Sequence, residues 1–327
     1  MDPARYIVRE FRESDIEPYA VLRTAIFPED PIAASTFRGE WELAIAHPDP
    51  LPWFSVEERS SGKVVAAGGL VRNPFQDDPA RPWAFADVHP EHVHHGIGSA
   101  LYATALAVAQ RRGATGLRCS VHSERPSDLA FLTHRGFVER RRSWISVLDL
   151  AHAETSRLPE LVAKLSREGL HLTTLTREGE TREEVQRGIY ELGNVTGADV
   201  PRVGAFTPPS FEEYRRLQFS GPNYLPEAWM LAKEGTRYVG VSSAGREPAE
   251  PGMLRQWYTA TRPEYRGRQV AETLKLMLIE YARRSGYARI TTSNDSVNQP
   301  MWSLNQRLGF RKFSERIHTE KLFDADR

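Results

Sequence analysis

The chain has 327 residues, with 43 Lys and Arg against 43 Asp and Glu, so its formal charge is zero. That length is comfortable for two domains, each able to bury a core, and the balance argues against a dedicated nucleic-acid or anionic-membrane binder. A single cysteine, Cys119, excludes an internal disulfide. Together with a charged start lacking a signal-peptide core and no apolar run of membrane length, it places the protein in the cytoplasm.

Tyr6 to Phe11 reads as an opening strand, and Ser14 or Asp15 caps a helix running to about Ile26. Proline-containing loops follow. Trp53 to Glu57 and Val64 to Val71 form a hairpin across Ser60-Ser61-Gly62, and Asn73 to Pro82 is a polar loop before a strand at Ala84 to Val88. Cys119 lies in an apolar strand, Leu117 to Val121, and reads as core. Ser143 to Leu150 is a further alternating strand. A linker helix at Leu158 to Arg167 leads to a strand at His171 to Leu175, and helices follow at Arg182 to Leu192 and Phe211 to Leu217. Strands at Trp229 to Lys233 and Tyr238 to Ser243 bring the chain to Leu254.

Leu254 to Thr261 is aromatic and β-branched, a strand ended by Arg262-Pro263-Glu264. After Tyr265-Arg266-Gly267-Arg268-Gln269, the apolar period becomes helical at Val270, Leu274, Met277, Leu278 and Tyr281, and Gly286 ends the helix. First-turn N–H groups lack intrahelical partners and the helix dipole favours an anion there, so this loop suits a pyrophosphate flanked by Arg266 and Arg268. A strand at Ala288 to Ser293 and a helix from Gln299 to Leu308 complete the unit.

The same arrangement occurs earlier. His89 to Gly98 lies on Arg262 to Ala271 at an offset of 173 residues, and Gly113 with Gly286 and Gly136-Phe137 with Gly309-Phe310 keep that register without a gap. So long a period implies two whole domains. The boundaries are set at 1–150 for the first, 151–170 for a linker and 171–327 for the second.

The run Arg266-Gly267-Arg268-Gln269-Val270-Ala271, followed by Thr292-Ser293-Asn294-Asp295, Asn298, Asn305 and Leu308-Gly309-Phe310, resembles the GNAT superfamily of acyl-CoA-dependent N-acetyltransferases. Its loop is usually written Gln/Arg-x-x-Gly-x-Gly/Ala. The resemblance implies two tandem α/β (α+β) folds, each a mixed, mostly antiparallel sheet flanked by helices. It also implies acetyl-CoA, or another acyl-CoA, as co-substrate, with fourth and fifth strands splayed so that the pantetheine arm pairs with the fourth near Val88 and Thr261. The cofactor residues it implies are Thr261, Arg266, Gly267, Arg268, Gln269, Val270, Ala271, Asn294 and Asn298 in the second copy. In the first they are Val88, His94, His95, Gly96, Ile97, Gly98 and Ser99.

Gln269 departs from the glycine of the family loop, which is acceptable if its φ is negative. The tyrosine that family members place near the leaving thiol is absent: the matching positions are Leu132 and Asn305. Asn305 and Tyr258 are the catalytic candidates, and Asp87, Asp199 and Glu320 are candidate bases. Val93 replaces the usual Arg or Gln in the first copy, so catalysis is expected in the second, with the first binding CoA weakly or structurally.

His89, His92, His94 and His95 lack metal-site spacing, and no metal is expected. The expected function is acetyl transfer to a primary amine of a small molecule, by a monomer or homodimer with no nucleic-acid or membrane partner. A silent acyl-CoA-binding or regulatory protein, or an acetyltransferase acting on a protein N-terminus or lysine, are the alternatives.

Overall fold

The structure is a computed structural model described for residues 1–323. The first copy runs β1 (Tyr6–Glu10), α1 (Ile16–Ile26), α2 (Ala34–Ile45), β2 (Trp53–Glu58), β3 (Lys63–Val71), β4 (Trp83–Val88), α3 (Ile97–Arg111), β5 (Gly116–His122), α4 (Pro126–Thr133) and β6 (Val138–Asp149). The second begins with α5 (Leu158–Arg167), β7 (His171–Thr174), α6 (Leu175–Glu178), α7 (Glu183–Gly197) and α8 (Phe211–Gln218). It continues through β8 (Trp229–Glu234), β9 (Arg237–Arg246), β10 (Met253–Thr261), α9 (Val270–Arg284), β11 (Arg289–Asp295), α10 (Gln299–Arg307) and β12 (Arg311–Leu322). Helix α2 stands where proline loops were expected. Its twelve residues lie between Pro31 and Pro48 and contain no proline, and its Phe37 stacks on Trp53 with ring centroids 5.5 Å apart.

The chain divides into two compact units, Met1–Arg140 with the chain from Ile317 on, and Arg141–Arg316. The division therefore falls earlier than the 151–170 linker read from the sequence, and 317 onward leaves the second copy. Pairing explains both shifts. Ser143 to Asp149 of β6 run antiparallel to β11, from Asp295↔Ser143 to Arg289↔Asp149, so this strand completes the second unit. The end of β12 completes the first: Thr319 Oγ1 donates to the Cys119 carbonyl at 3.1 Å, and the Phe323 N–H to the Thr115 carbonyl at 2.8 Å.

Strand order in the first unit is β1-β2-β3-β4-β5-β12 and in the second β7-β8-β9-β10-β11-β6. The β1–β2–β3–β4 and β7–β8–β9–β10 ladders are antiparallel, whereas β4–β5 and β10–β11 are parallel. Those two parallel pairs are short. β4 meets β5 only at Trp83↔Arg118, and β10 meets β11 only from Met253↔Arg289 to Gln256↔Thr292. Past these points Ala84–Val88 and Trp257–Thr261 present one backbone edge without a strand, and β10 also bulges between Gln256 and Tyr258.

The repeat is visible in the backbone itself. Positive φ angles occur at His94 (62°), Gly96 (76°), Gly113 (76°) and Gly136 (85°), and again 173 residues on at Gly267 (76°), Gln269 (70°), Gly286 (81°) and Gly309 (92°). Helix α3 and β5 enclose one core through Ala105, Val108, Leu117 and Cys119. Helix α9 packs with α5 and the second sheet through Leu161, Leu165, Leu254, Leu274 and Ile290. Burial pushes the Cys119 thiol up to about 12, so it stays a neutral core side chain. No helix of the described residues is long and apolar enough to cross a membrane.

Lys275 is the costly member of the second core. It is 2 % exposed, donates to the Gln256 side chain, and its Nζ lies 5.0 Å from the Phe310 ring centroid. Burial pulls its pKa from 10.5 to about 7. The unfolded chain keeps that proton up to about 10.5, so between pH 7 and 10.5 it binds more protons than the folded one, and stability rises with pH. Lys275→Met is expected to be more stable than the parent at pH 6, by roughly a few kcal/mol. Urea denaturation at several pH values should find that gap narrowing steadily from pH 7 to 10.5; a pH-independent gap would contradict the assignment.

Candidate active site

Two helix N-termini were singled out from the sequence, and their backbones superpose in kind. Each is entered through a 3-10 turn after a residue near φ −50°, ψ 140° (His89, Arg262), then an extended residue (Val93, Arg266), then two left-handed positions separated by one residue. Glycine occupies only one of the two in each copy: Gly96 in the first, Gly267 in the second. The partners are His94 and Gln269. Gln269 therefore has the positive φ that the sequence reading wished it to avoid, at a cost of about 1 kcal/mol.

What surrounds the two loops differs more than their backbones. In the first, the opening turn of α3 carries no acidic residue. His94, His95 and Ser99 are exposed, and Gly98 is so open that a Cβ there would meet nothing closer than Val88 at 3.9 Å. Arg135, lying over the Phe131 ring at 3.5 Å, donates to Ser99 Oγ at 2.9 Å and brings a cation to this turn. Ile97, 1 % exposed, anchors the turn to the core. Met1 reaches this turn, its backbone nitrogen 2.5 Å from where a Cβ on Gly96 would stand, while the helix dipole and the guanidinium at Ser99 suit an anion.

In the second loop the same amides are crowded by carboxylates. Glu272 stands in the first turn of α9, 9 % exposed, and pairs with Arg157. Gln269 is held between Lys164, which donates to its Oε1 at 2.7 Å, and Glu272. Both expected phosphate cations are already taken: Arg266 pairs with Asp199 and donates to the Thr261 carbonyl at 3.2 Å, while Arg268 pairs with Glu168 at 2.9 Å. Val270 is buried and Ala271 half-buried. Helix α5, which brings Arg157, Lys164 and Glu168, is the linker helix of the sequence reading, and nothing in its own pattern marked it as a cover for this loop.

The remaining second-copy candidates are hydrogen-bonded or buried, with Asn305 Oδ1 and Thr261 Oγ1 left without a partner among the described residues. Asn305, 1 % exposed, donates to Asn294 Oδ1 at 2.6 Å, and Asn298 caps α10 by accepting from the Met301 N–H at 3.3 Å. Thr261 is buried. The Tyr258 hydroxyl lies 2.8 Å from Thr196 Oγ1, and desolvation is the main cause raising its pKa. Among the candidate bases, Glu320 is excluded by its partners: it accepts from fully buried Arg118 at 3.1 Å and also meets Arg81 and Arg140. Asp199 is half exposed against Arg266.

Asp87 is different. It lies on the strand-free stretch of β4 beside Val88, its side chain is 16 % exposed, and it accepts from the Tyr19 hydroxyl at 2.6 Å with Arg23 Nε 3.8 Å away. Burial and the Asp87 charge raise the Tyr19 pKa well above 10, so this phenol is a permanent donor. Tyr19 and Arg23 are four apart on α1, which a helical reading of that segment could have paired; no local signal linked them to Asp87. Leu132 is buried, and the ligand atoms of His89, Glu91 and His92 come within 4.8 Å of one another, with His92 Nδ1 already 3.0 Å from the Tyr6 hydroxyl.

A duplicated, mixed α/β sheet whose fourth and fifth strands part beside a helix N-terminus defines an acyl-CoA-binding type of fold. The sequence model of the acetyltransferase (GNAT) family matches residues 10–137 and 199–310, more than half of the chain, and the protein belongs to that family. A mycothiol acetyltransferase of Pseudarthrobacter chlorophenolicus is 23% identical over 230 residues; the match covers 69% of this chain and 66% of that protein's length. Among solved structures, a GCN5-related N-acetyltransferase from Sphaerobacter thermophilus has a TM-score of 0.75 at 19% identity, covering 98% of this chain and 97% of that one. A tandem GNAT protein from the clavulanic acid biosynthesis pathway has 0.74 at 20%, covering 98% and 100%. At these identities the structures share the fold.

The Asn305–Asn294 bond joins two buried side chains. Asn305→Ala leaves Asn294 Oδ1 buried without its donor, and is expected to cost about 1–3 kcal/mol in denaturant titrations. Turnover per folded molecule should stay within about twofold, the marker of a structural residue; a large loss of kcat at unchanged stability would restore Asn305 to the chemistry.

Proposed function

We propose that this protein transfers an acetyl group from acetyl-CoA to a primary amine of a small molecule, and that the first copy, not the second, holds the cofactor and performs the transfer. The observation that carries this reading is the contrast between the two helix starts. The turn at Gly96-Ile97-Gly98-Ser99 has no carboxylate, has room at Gly98 and has Arg135 on Ser99, while that at Gln269-Val270-Ala271-Glu272 carries Glu272 and is reached by Lys164 of α5. An anionic Glu272 against a diphosphate is a like-charge contact in a partly desolvated place, which disfavours binding there.

The strand-free edge of Ala84–Val88 supports the rest. Its backbone groups are of the kind that pair with an extended pantetheine arm, as in strand addition, and an N–H on that edge is suited to receive the oxyanion as the carbonyl becomes tetrahedral. Asp87, on the same stretch and held by Tyr19, is the group placed to take the proton lost by the attacking amine. The amine nitrogen forms the new C–N bond, its proton passes to the Asp87 carboxylate, and the C–S bond breaks to release thiolate. With Leu132 at the position of the usual phenol, the thiolate leaves without a side-chain acid; a thiol reference pKa of about 8.5 makes that tolerable near neutrality.

Asp87→Asn is expected to lower kcat by roughly 10²- to 10⁴-fold with little change in acetyl-CoA affinity, measured as amine-dependent thiol release. Gly98→Glu should abolish that release, whereas Ala271→Glu should leave most of it; the opposite pattern would move the activity to the second copy. The missing thiol acid also fits a silent acyl-CoA sensor. Saturable acetyl-CoA binding without thiol release, across a panel of amines, is the result that would favour it.

A further inference from the structure

The segment that joins β4 to α3 in the first unit carries side chains that acetyl transfer does not call on. It reads His89-Pro90-Glu91-His92. An α-helical standard rejects this spacing for a metal, since the helical zinc motif places its two histidines four apart. The segment is not α-helical: Pro90–His92 is a 3-10 turn with His89 as its N-cap. Such a turn repeats every three residues, so side chains at i and i+3 eclipse one another. The rings of His89 and His92 accordingly stand 6.0 Å apart, and one ligand atom from each of His89, Glu91 and His92 lies within 4.8 Å of the others.

The turn is held in place by the rest of the fold. The His89 N–H donates to the Val65 carbonyl of β3 at 2.9 Å and the His92 N–H to the His89 carbonyl at 2.8 Å, while the ring of Pro90 fixes a φ between them. The Tyr6 hydroxyl, on a side chain 1 % exposed, lies 3.0 Å from His92 Nδ1 and orients that imidazole. A fixed oxygen beside one ring nitrogen is the usual support of an imidazole that binds metal through the other. His89 Nδ1 accepts from the Glu91 N–H at 3.3 Å, a long bond that an ion on that nitrogen would replace, and Glu91 Oε2 is 4.0 Å from it. With the His89 side chain 32 % and the Glu91 side chain 82 % exposed, both have room to rotate inward to the roughly 3.4 Å donor separation of a tetrahedral site.

The second copy carries the same turn with other side chains. At the 173-residue offset stand Arg262, Pro263, Glu264 and Tyr265, and the N-cap angles are φ −51°, ψ 142° against −54°, 137° at His89. There the Arg262 guanidinium donates to the Tyr238 carbonyl at 2.8 Å and the Tyr265 hydroxyl to Glu234 at 2.7 Å, tying the turn to β9 and β8. In the first copy imidazoles occupy both positions, on either side of the glutamate that the copies share.

We propose that His89, Glu91 and His92 form a binding site for Zn²⁺ or a divalent cation of the same borderline class, with water completing the coordination. Two imidazoles and one carboxylate are the donor set of an open zinc site, whereas Mg²⁺ and Ca²⁺ require more oxygen ligands than this turn offers. The site stands independently of which copy carries out acetyl transfer.

The test uses the untagged full chain, stripped of metal with a chelator and titrated calorimetrically with Zn²⁺ alone, then in separate runs with Mg²⁺ and Ca²⁺. One equivalent of Zn²⁺ should bind saturably, and neither of the other ions should. His89→Gln and His92→Gln should each weaken Zn²⁺ binding roughly tenfold or more, and Glu91→Gln, at an exposed side chain whose change leaves the fold intact, about threefold or more. The double variant His94→Gln with His95→Gln should stay within about twofold of the parent. Three results would overturn the proposal: no saturable Zn²⁺ binding; an affinity unchanged in the His89, Glu91 and His92 variants; or a loss in the His94 and His95 double variant as large as at His89 and His92, which would mark adventitious binding to a histidine-rich surface only.

Discussion

Ligand binding on this fold depends on how a helix begins. The first N–H groups of any helix lack partners, and whether they serve a ligand is decided by the few side chains that reach them. This protein contains the same beginning twice, entered through the same pair of left-handed residues, and treats it in opposite ways. At α3 the turn is followed by Gly98 and Ser99 and faced by Arg135. At α9 it is followed by Ala271 and Glu272 and packed against α5, whose Lys164 and Arg157 are occupied with Gln269 and Glu272. One scaffold thus has Arg135 beside a turn without carboxylates in one copy and a network of ion pairs around the turn in the other.

The same divergence runs through the rest of the second copy. Arg266 and Arg268 are bound to Asp199 and Glu168, Asn305 to Asn294, and Tyr258 to Thr196. Each is a polar residue of the kind a reactive site would use and has a partner in the chain, although Asn305 Oδ1 stays buried without one among the described residues. In the first copy, Asp87 beside the parted strands has Tyr19 and, at 3.8 Å, Arg23 as partners, and remains partly exposed. A duplicated domain relieved of ligand binding can fill its former site with ion pairs, at the modest gain typical of exposed pairs.

Much of this was legible in the sequence because the determinants are local. The 173-residue offset appears in glycines whose positive φ requires them, and so do the strand–loop–helix order and the linker helix α5, whose bounds match the reading. What was not legible is long-range. Val93 against Arg266 favours the second loop in the sequence, and nothing there places Asp199 or Glu168 beside its arginines. Gln269 was expected to avoid a left-handed φ, yet the matching glycine of the first copy, Gly96, pointed to that conformation. The assignment of β6 to β11, and of the end of β12 to β5, moved the boundary because a final strand pairs by geometry and not by its order in the chain. Asp87, Asp199 and Glu320 were candidates alike in the sequence, which placed neither Tyr19 and Arg23 beside Asp87 nor Arg118 beside Glu320.

Two equivalent helix starts that differ in their capacity for a diphosphate are told apart by stoichiometry. Calorimetric titration of the full chain with CoA should give one equivalent bound per chain, with an affinity that falls as salt is raised. Two equal sites, or a single site whose binding survives Gly98→Glu, would contradict that difference.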